Sequence, residues 1–458
     1  MKITMKKLSL KLLSAVCALL LLASTAVLFV SCNDDKESDE STETPAGSES
    51  ESASETSSGT SDETPKDLTL FENGKTEYTL VRPDKGADAV VSAANTLYAK
   101  LLELSADKNV GFYTDFVHKN APITDKEILI GKTEREESIS VYEELESVEG
   151  DRYLIKTVNE KVVIAATNVS MMDKAVEYFI SAYLATGADK ITVSASESYM
   201  SDRTVQQPYD VIDAVKGTAV ANAVKLGSLS KDKDYKVAQG GCTDGRYIYI
   251  ILENQNTGGE GYKKESHYGK LCKIDVRTMA LVKISEPLPI DHGNDCTYNA
   301  DTNEIVIAHN SPNSKYISFV DADTLELKKT DKNNAYNMYA IAYNSNLKKY
   351  VVGLSGGYDY AVYDNYPMMP KRYASIGMGY TRQGMDCDDK YIYLLQYKKN
   401  VITVYDWSGN CIKNISIENV PDEPEAIFHI DGQLYITSNR GGSTGGSNIY
   451  RIDITSAS

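Results

Sequence analysis

Residues 292 to 299 read HGNDCTYN and put His292, Asn294 and Asp295 within four positions of one another. An imidazole, an amide and a carboxylate that close can hold a polar ligand, coordinate a cation or move a proton. The same octapeptide also suits a polar turn leading into a strand. Its meaning depends on which other side chains the fold brings beside it.

The elements that must do this lie in a repeat. Five segments carry an aspartate after alternating apolar residues: CKIDVRT, SFVDADT, AVYDNYP, TVYDWSG and YRIDITS. Their aspartates are Asp275, Asp321, Asp364, Asp406 and Asp453, spaced 42–47 residues apart. Ahead of each lies a second repeated unit, such as GGCTDGRYIYIIL, NDCTYNADTNEIVIA or GMDCDDKYIYLLQ. A period of this size with several short strands per unit marks a β-propeller, and five units predict five blades. The aspartates are read as corner residues, which bond their side chains to nearby amides and set the turn. A strand-like segment follows most of them but not Asp453. AVKLGSLS, 223–230, resembles those outer strands and is expected to pair with the last blade and close the ring.

Aligning the innermost strands makes Cys242, Cys296, Ile341, Asp386 and Ile427 equivalent. The residues just upstream should then meet at one mouth of a central channel. They are Gln239 and Gly240, then His292, Asn294 and Asp295, then Asn337 and Tyr339, then Arg382 and Gln383, then Glu423 and Glu425. Convergent polar groups in a concavity are the default ligand site, although a water-filled channel is also lined with polar residues. The strongest candidates are His292, Asp295, Arg382 and Glu425. Arg382 suits a carboxylate or phosphate, and Tyr339 suits a sugar ring.

Three other chemistries compete. Glycoside hydrolysis needs two carboxyl groups across the scissile bond, and Asp295, Asp386 and Glu425 are the candidates. A divalent cation would need oxygen ligands from Asn294, Asp295 and Glu425 with His292, though no contiguous ligand motif accompanies them. Otherwise no cofactor is expected. A propeller can also serve as a protein-interaction scaffold, with a blade rim rather than the channel as its working surface. GLSGG, 353–357, fits the pattern GxSxG but lies in strand-like sequence, so Ser355 is expected to be ordinary. GGSTGGS, 441–447, is expected to be a loop rather than a phosphate cradle. His118, His267, His309 and His429 show no zinc spacing.

The chain has 458 residues and a formal charge of −17, which argues against nucleic-acid binding. Its 32 tyrosines against 7 phenylalanines favour half-buried strands. Lys2, Lys6, Lys7 and Lys11 precede an apolar run from Leu12 to Val30, the pattern of an export signal. The following LFVSC resembles the lipobox of bacterial lipoproteins, with Phe29 where that family carries leucine. The resemblance implies cleavage before Cys32, lipidation of Cys32 and anchoring to the outer face of the bacterial cell membrane. The alternative is an uncleaved signal anchor. The stretch 32–66, rich in Ser, Thr, Glu and Asp, is expected to be a disordered tether. Cys242, Cys272, Cys296, Cys387 and Cys411 form no CxxC pair and no dense framework, so they read as small buried hydrophobes.

Residues 67–203 alternate strand and helix patterns, which predicts a small α+β domain. DAVVSAANTLYAKLLEL and MMDKAVEYFISAYLA have helical spacing. DRYLIKTVNEKVVIAAT reads as two strands with a turn at Asn159 and Glu160, and Asn168–Ser170 as a cap before the second helix. EILIGKTEREES followed by YLIKTVNEKVVIAAT and a helix resembles the N-terminal accessory domains of α-glucuronidases and β-hexosaminidases. In those families the domain sits beside a catalytic barrel and does no chemistry. Here propeller sequence follows instead, over 204–458. The expected protein is therefore multidomain: signal 1–31, tether 32–66, α+β accessory domain 67–203 and an all-β five-bladed propeller. Its expected role is binding an extracellular ligand, most simply a glycan.

Overall fold

The computed structural model describes residues 66–116, 123–203, 207–254, 267–332, 337–354, 359–364, 370–375, 381–441 and 443–457. The signal, Cys32, almost all of the tether, His118 and Ser355 lie outside them. No helix among the described residues is long and apolar enough to cross a membrane.

The first part is α+β. Its strands are β1 (Leu68–Glu72), β2 (Thr79–Arg82), β3 (Phe112–Thr114), β4 (Glu127–Ile130), β5 (Tyr153–Val158), β6 (Lys161–Ala166), β7 (Lys190–Val193) and β8 (Ser198–Met200). Six of them form one sheet in the order β3-β2-β4-β6-β5-β8, and β1 pairs with β7. The helices are α1 (Asp88–Leu104), α2 (Glu136–Glu144) and α3 (Met172–Tyr183). In α1 the buried residues are Val90, Ala93, Ala94, Leu97 and Leu101, the spacing of one helical face. Asn159 and Glu160 both take positive φ, as a two-residue hairpin turn requires. Asn168 accepts the Ser170 amide at 3.0 Å, capping the short turn that leads into α3.

A short helix, α4 (Pro208–Ala214), and a long strand, β9 (Ala219–Leu229), lead into four-stranded antiparallel meanders. The first is β10 (Val237–Thr243), β11 (Tyr247–Glu253), β12 (Gly269–Asp275) and β13 (Leu281–Ile284). The second is β14 (Asp295–Asn299), β15 (Glu304–Ala308), β16 (Tyr316–Asp321) and β17 (Leu327–Lys332). The third is β18 (Met338–Asn344), β19 (Lys349–Leu354), β20 (Asp359–Asp364) and β21 (Pro370–Ser375). Next come β22 (Thr381–Cys387), β23 (Tyr391–Tyr397), β24 (Val401–Asp406) and β25 (Cys411–Glu418). The last strands are β26 (Glu423–Ile430), β27 (Gln433–Asn439) and β28 (Ser447–Ser456).

This region is mostly β and propeller-like. The first strands of the meanders neighbour one another in cyclic order, β10, β14, β18, β22, β26 and back to β10. As expected of AVKLGSLS, β9 pairs antiparallel with β28, although it begins earlier, at Ala219. The sheets are not five separate ones. Residues Ala219–Asn222 of β9 also pair in parallel with Ile415–Glu418 of β25, which fuses eight strands into one sheet. The cause is length: β9 runs eleven residues, and its first four reach the open edge of β25.

Among the repeated aspartates, Asp275, Asp321 and Asp406 each accept the amide two residues on, at 2.7–3.0 Å. These three hold their corners as expected. Asp453 instead pairs with Arg451 at 2.8 Å.

The α+β part and the meanders share one apolar core. Leu97, Met172 and Phe179 belong to the same buried cluster as Leu226, Ile274 and Ile449. Polar bonds seal the junction: Arg451 donates to the Ser170 carbonyl at 2.6 Å, and the Asp151 amide donates to Asp431 at 2.7 Å.

Candidate functional site

The inner strands start at one mouth of the ring and end at the other. Gln239, His292, Asn294, Asp295, Tyr339, Arg382, Gln383, Glu423 and Glu425 all lie at or near strand starts. Their depths differ, and depth decides what each can do.

Asp295 is fully buried and is a bolt rather than a ligand. Its Oδ2 accepts the amides of Ile341 and Met385, both at 3.0 Å, tying β14 to β18 and β22. Its neighbours come that close because two of them are glycines. A Cβ on Gly240 would lie 2.3 Å from the Asp295 Cα, and one on Gly384 would lie 2.9 Å from the Ala426 Cα. Burial drives the Asp295 acid well above the usual carboxylate range, against the pull of the amides it accepts. Among the described residues its Oδ1 has no hydrogen-bond partner. The expectation that Asp295 contacts ligand or substrate is corrected by this enclosure.

Asn294 and Tyr339 are likewise committed. Asn294 donates to the Tyr339 carbonyl at 2.8 Å and accepts from Asn310 at 2.9 Å. The Tyr339 ring lies between the Arg382 guanidinium, 4.5 Å from its centroid, and Gly353, where a Cβ would come within 2.6 Å of the ring. Its faces are covered, so it offers none to a sugar. One Arg382 nitrogen donates to the Leu354 carbonyl at 2.8 Å, leaving less of the fork for an anion.

What remains is an acidic cluster with a histidine at its edge. Nδ1 of His292, whose side chain is 30% exposed, lies 3.3 Å from Oε2 of Glu253. Gln383 donates to Glu423 at 2.8 Å. Glu425 is buried, and burial first, then the charges of Glu423 and Glu253, hold its carboxyl well above the usual range. Glu423 is raised by burial, against the bond from Gln383 and the nearby His292. Gln239 is buried near the start of β10. Glu253, 1% exposed, is the residue that sequence reasoning missed. It ends the second strand of its meander, which returns to the mouth where the first strand began. The signal was a lone carboxylate closing the apolar run YIYIILE. His267 lies beside it, its Nδ1 3.9 Å from Glu253 Oε1.

The set expected to hold a divalent cation is dispersed, because Asn294 and Asp295 are occupied in joining strands. Among the described residues no three His, Cys, Asp or Glu side chains are placed to ligate a metal.

Asp386 belongs to the opposite mouth, which removes it from any carboxylate pair with Glu425. There it lines a cavity of about 330 Å³ together with Thr243, Asp244, Tyr298, Tyr343 and His429. Its Oδ2 lies 2.6 Å from His429 Nδ1. Burial alone would lower the His429 pKa, but the Asp386 carboxylate outweighs it and the net shift is upward. His429, read from sequence as incidental, is therefore half of an oriented imidazole–carboxylate pair.

His309 is also engaged. Asp291 Oδ2 lies 2.6 Å from its Nδ1, Ser318 Oγ 2.7 Å from its Nε2, and Thr330 Oγ1 2.8 Å from Ser318. The atom order is that of a Ser-His-Asp triad. Ser318 is fully buried in β16, however, and no substrate reaches its hydroxyl. The relay braces the second meander. Of GGSTGGS, residues 441 and 443–446 lie between β27 and β28 and Ser447 opens β28; Gly442 lies outside the described residues.

No protein family matches the chain, and no curated protein does. Among solved structures, the glutaminyl cyclase of Myxococcus xanthus aligns with a TM-score of 0.39 at 10% identity, over 53% of this chain and 100% of that one. The hydrazine synthase of Kuenenia stuttgartiensis gives 0.25 at 16% identity, over 34% of this chain and 48% of that one. U3-55K gives 0.29 at 10% identity, over 46% and 64%. Likeness at this level bears on none of the chemistry above.

Proposed function

We propose that the protein is an exported lipoprotein, anchored through Cys32, whose C-terminal region is a five-bladed propeller that binds an extracellular glycan at the mouth formed by the inner-strand starts. In this reading the α+β domain, like the accessory domains it resembles, supports the binding domain without taking part in chemistry. The observation that carries the ligand site is the cluster of Glu253, His292, Gln383, Glu423 and Glu425, gathered from two inner strands, the turn before a third and one second strand, with His292 and Glu423 as its partly exposed members. Carboxylates and amide oxygens accept hydrogen bonds from sugar hydroxyls, which suits a neutral polyhydroxylated ligand.

A glycan-array screen of the purified chain tests this. Capture of a defined glycan that weakens in Glu423→Gln and in His292→Ala is the expected result. Absence of capture across the array, with no heat of binding to soluble oligosaccharides, rejects it. A second reading has one specific support. Burial, and then the charges of Glu423 and Glu253, shift the Glu425 carboxyl upward, the direction in which a glycosidase proton donor is tuned. Incubating any captured glycan with the chain and looking for cleavage products separates binding from turnover.

A further inference from the structure

Five cysteines lie among the described residues, and two of them touch. Cys242 on β10 and Cys296 on β14 place their sulfurs 3.5 Å apart, both buried. They sit in one apolar cluster, shared by the first and second meanders. Cys272 and Cys387 belong to other clusters, and Cys411 is exposed. From sequence all five read as isolated small hydrophobes; the fold pairs two.

We infer that Cys242 and Cys296 are a disulfide-forming pair, a covalent modification site that bolts the first inner strand to the second. The backbones already meet at this joint. A Cβ on Gly240 would lie 2.3 Å from the Asp295 Cα, and the Gly240 amide donates to the Gly293 carbonyl at 3.3 Å. Cys242 is two residues beyond that contact on one strand, and Cys296 one residue beyond it on the other. A disulfide needs its sulfurs at about 2.05 Å, so they must close by roughly 1.5 Å. Both cysteines also line the cavity of about 330 Å³ at the Asp386–His429 mouth, which provides a route for a small reagent.

In the reaction each thiol gives up its proton, the two sulfurs lose two electrons between them, and one S–S bond forms. The oxidant is a disulfide, either a small molecule or an exchange catalyst, which is cleaved to two thiols. Such partners are found where exported proteins fold, so in the cell the step rests on the lipoprotein reading, while the geometry of the pair does not. Burial, and then the neighbouring Cys296, hold the Cys242 thiol well above its ordinary pKa. The pair is therefore suited to a structural bond rather than to catalytic exchange. At the equivalent level the remaining joints carry Ile341, Asp386 and Ile427, none of which can cross-link.

The test uses the full chain carrying Cys411→Ser, which removes the exposed thiol. The purified protein is treated with diamide, a small azo compound that takes two electrons and two protons from a thiol pair. It is then unfolded, alkylated and mapped by mass spectrometry without reductant. A linked peptide joining Cys242 to Cys296 is expected, with loss of two alkylation sites. Recovery of both residues alkylated, or either of them joined to another cysteine, overturns the proposal. The untreated chain recovered from bacterial membranes without reductant supplies the second arm. Free thiols there, with linkage after diamide, would count against export and leave the pair standing.

Discussion

The Asp386 carboxylate lies 2.6 Å from the His429 imidazole, joining the fourth inner strand to the fifth at the mouth away from Glu425. Carboxyl groups that look interchangeable along the sequence are thereby divided. Asp386 orients an imidazole beside a cavity, Asp295 locks strands together, and Glu425 sits in an acidic cluster that raises its pKa. Each role has a measurable consequence.

Asp295→Ala should lower stability by about 3 kcal/mol, because it strands the buried Ile341 and Met385 amides. Asp295→Asn keeps a side-chain oxygen able to accept both amides and should cost under about 1 kcal/mol. Urea unfolding midpoints at pH 7 check both. Equal midpoints for wild type and Asp295→Ala would show that the bolt carries no load.

Asp151 predicts a pH dependence. Burial, and then the Asp431 charge, raise its pKa from 3.8 to about 7. The folded state therefore holds a proton that the unfolded state releases between those values. This contribution is complete below about pH 4 and is lost as the pH rises through about 7. Asp151→Asn should thus raise stability by up to about 4 kcal/mol at pH 8 and change little at pH 4. Melting curves across that range decide it, and a gain confined to acid would contradict the assignment.

Glu425→Gln separates the two functional readings. Glutamine matches the neutral acid in shape, so glycan capture should persist and stability at pH 8 should not fall. If the residue is a proton donor, turnover should drop by about 10²–10⁴-fold. Product formation by the variant at the wild-type rate would exclude Glu425 from that role.

Ser318→Ala removes the hydroxyl between His309 and Thr330. A cost of about 1–2 kcal/mol is expected, with glycan capture unchanged. Lost capture in a variant that still melts cooperatively would mean that the relay serves the site as well as the fold.

Much of the architecture was legible because it is local. The period-2 runs of the meanders, the corner aspartates Asp275, Asp321 and Asp406, and the edge character of AVKLGSLS follow from backbone sterics and side-chain bonding within a few residues. The helical face of α1 is legible for the same reason. The site was legible only as a side: strand alternation and the alignment of inner strands place His292 and Glu425 at one mouth. They say nothing of depth. His292 and Asp295 are three residues apart, yet one is partly exposed and the other is sealed, since partners 46 and 90 residues away close over Asp295. Glu253 was overlooked for a similar reason: a second strand brings it back to a mouth that only first strands were expected to line.

By itself, then, the amino-acid order determined the repeat, the strand segments and the polar residues that stand at the starts of the inner strands. Those properties depend on neighbours within one turn or one pleat. Only the tertiary structure decided which carboxyls are enclosed, that Cys242 meets Cys296, and that Asp151 docks on Asp431 across 280 residues. Burial and contact between distant segments depend on how whole sheets pack, and no short window of sequence carries that information.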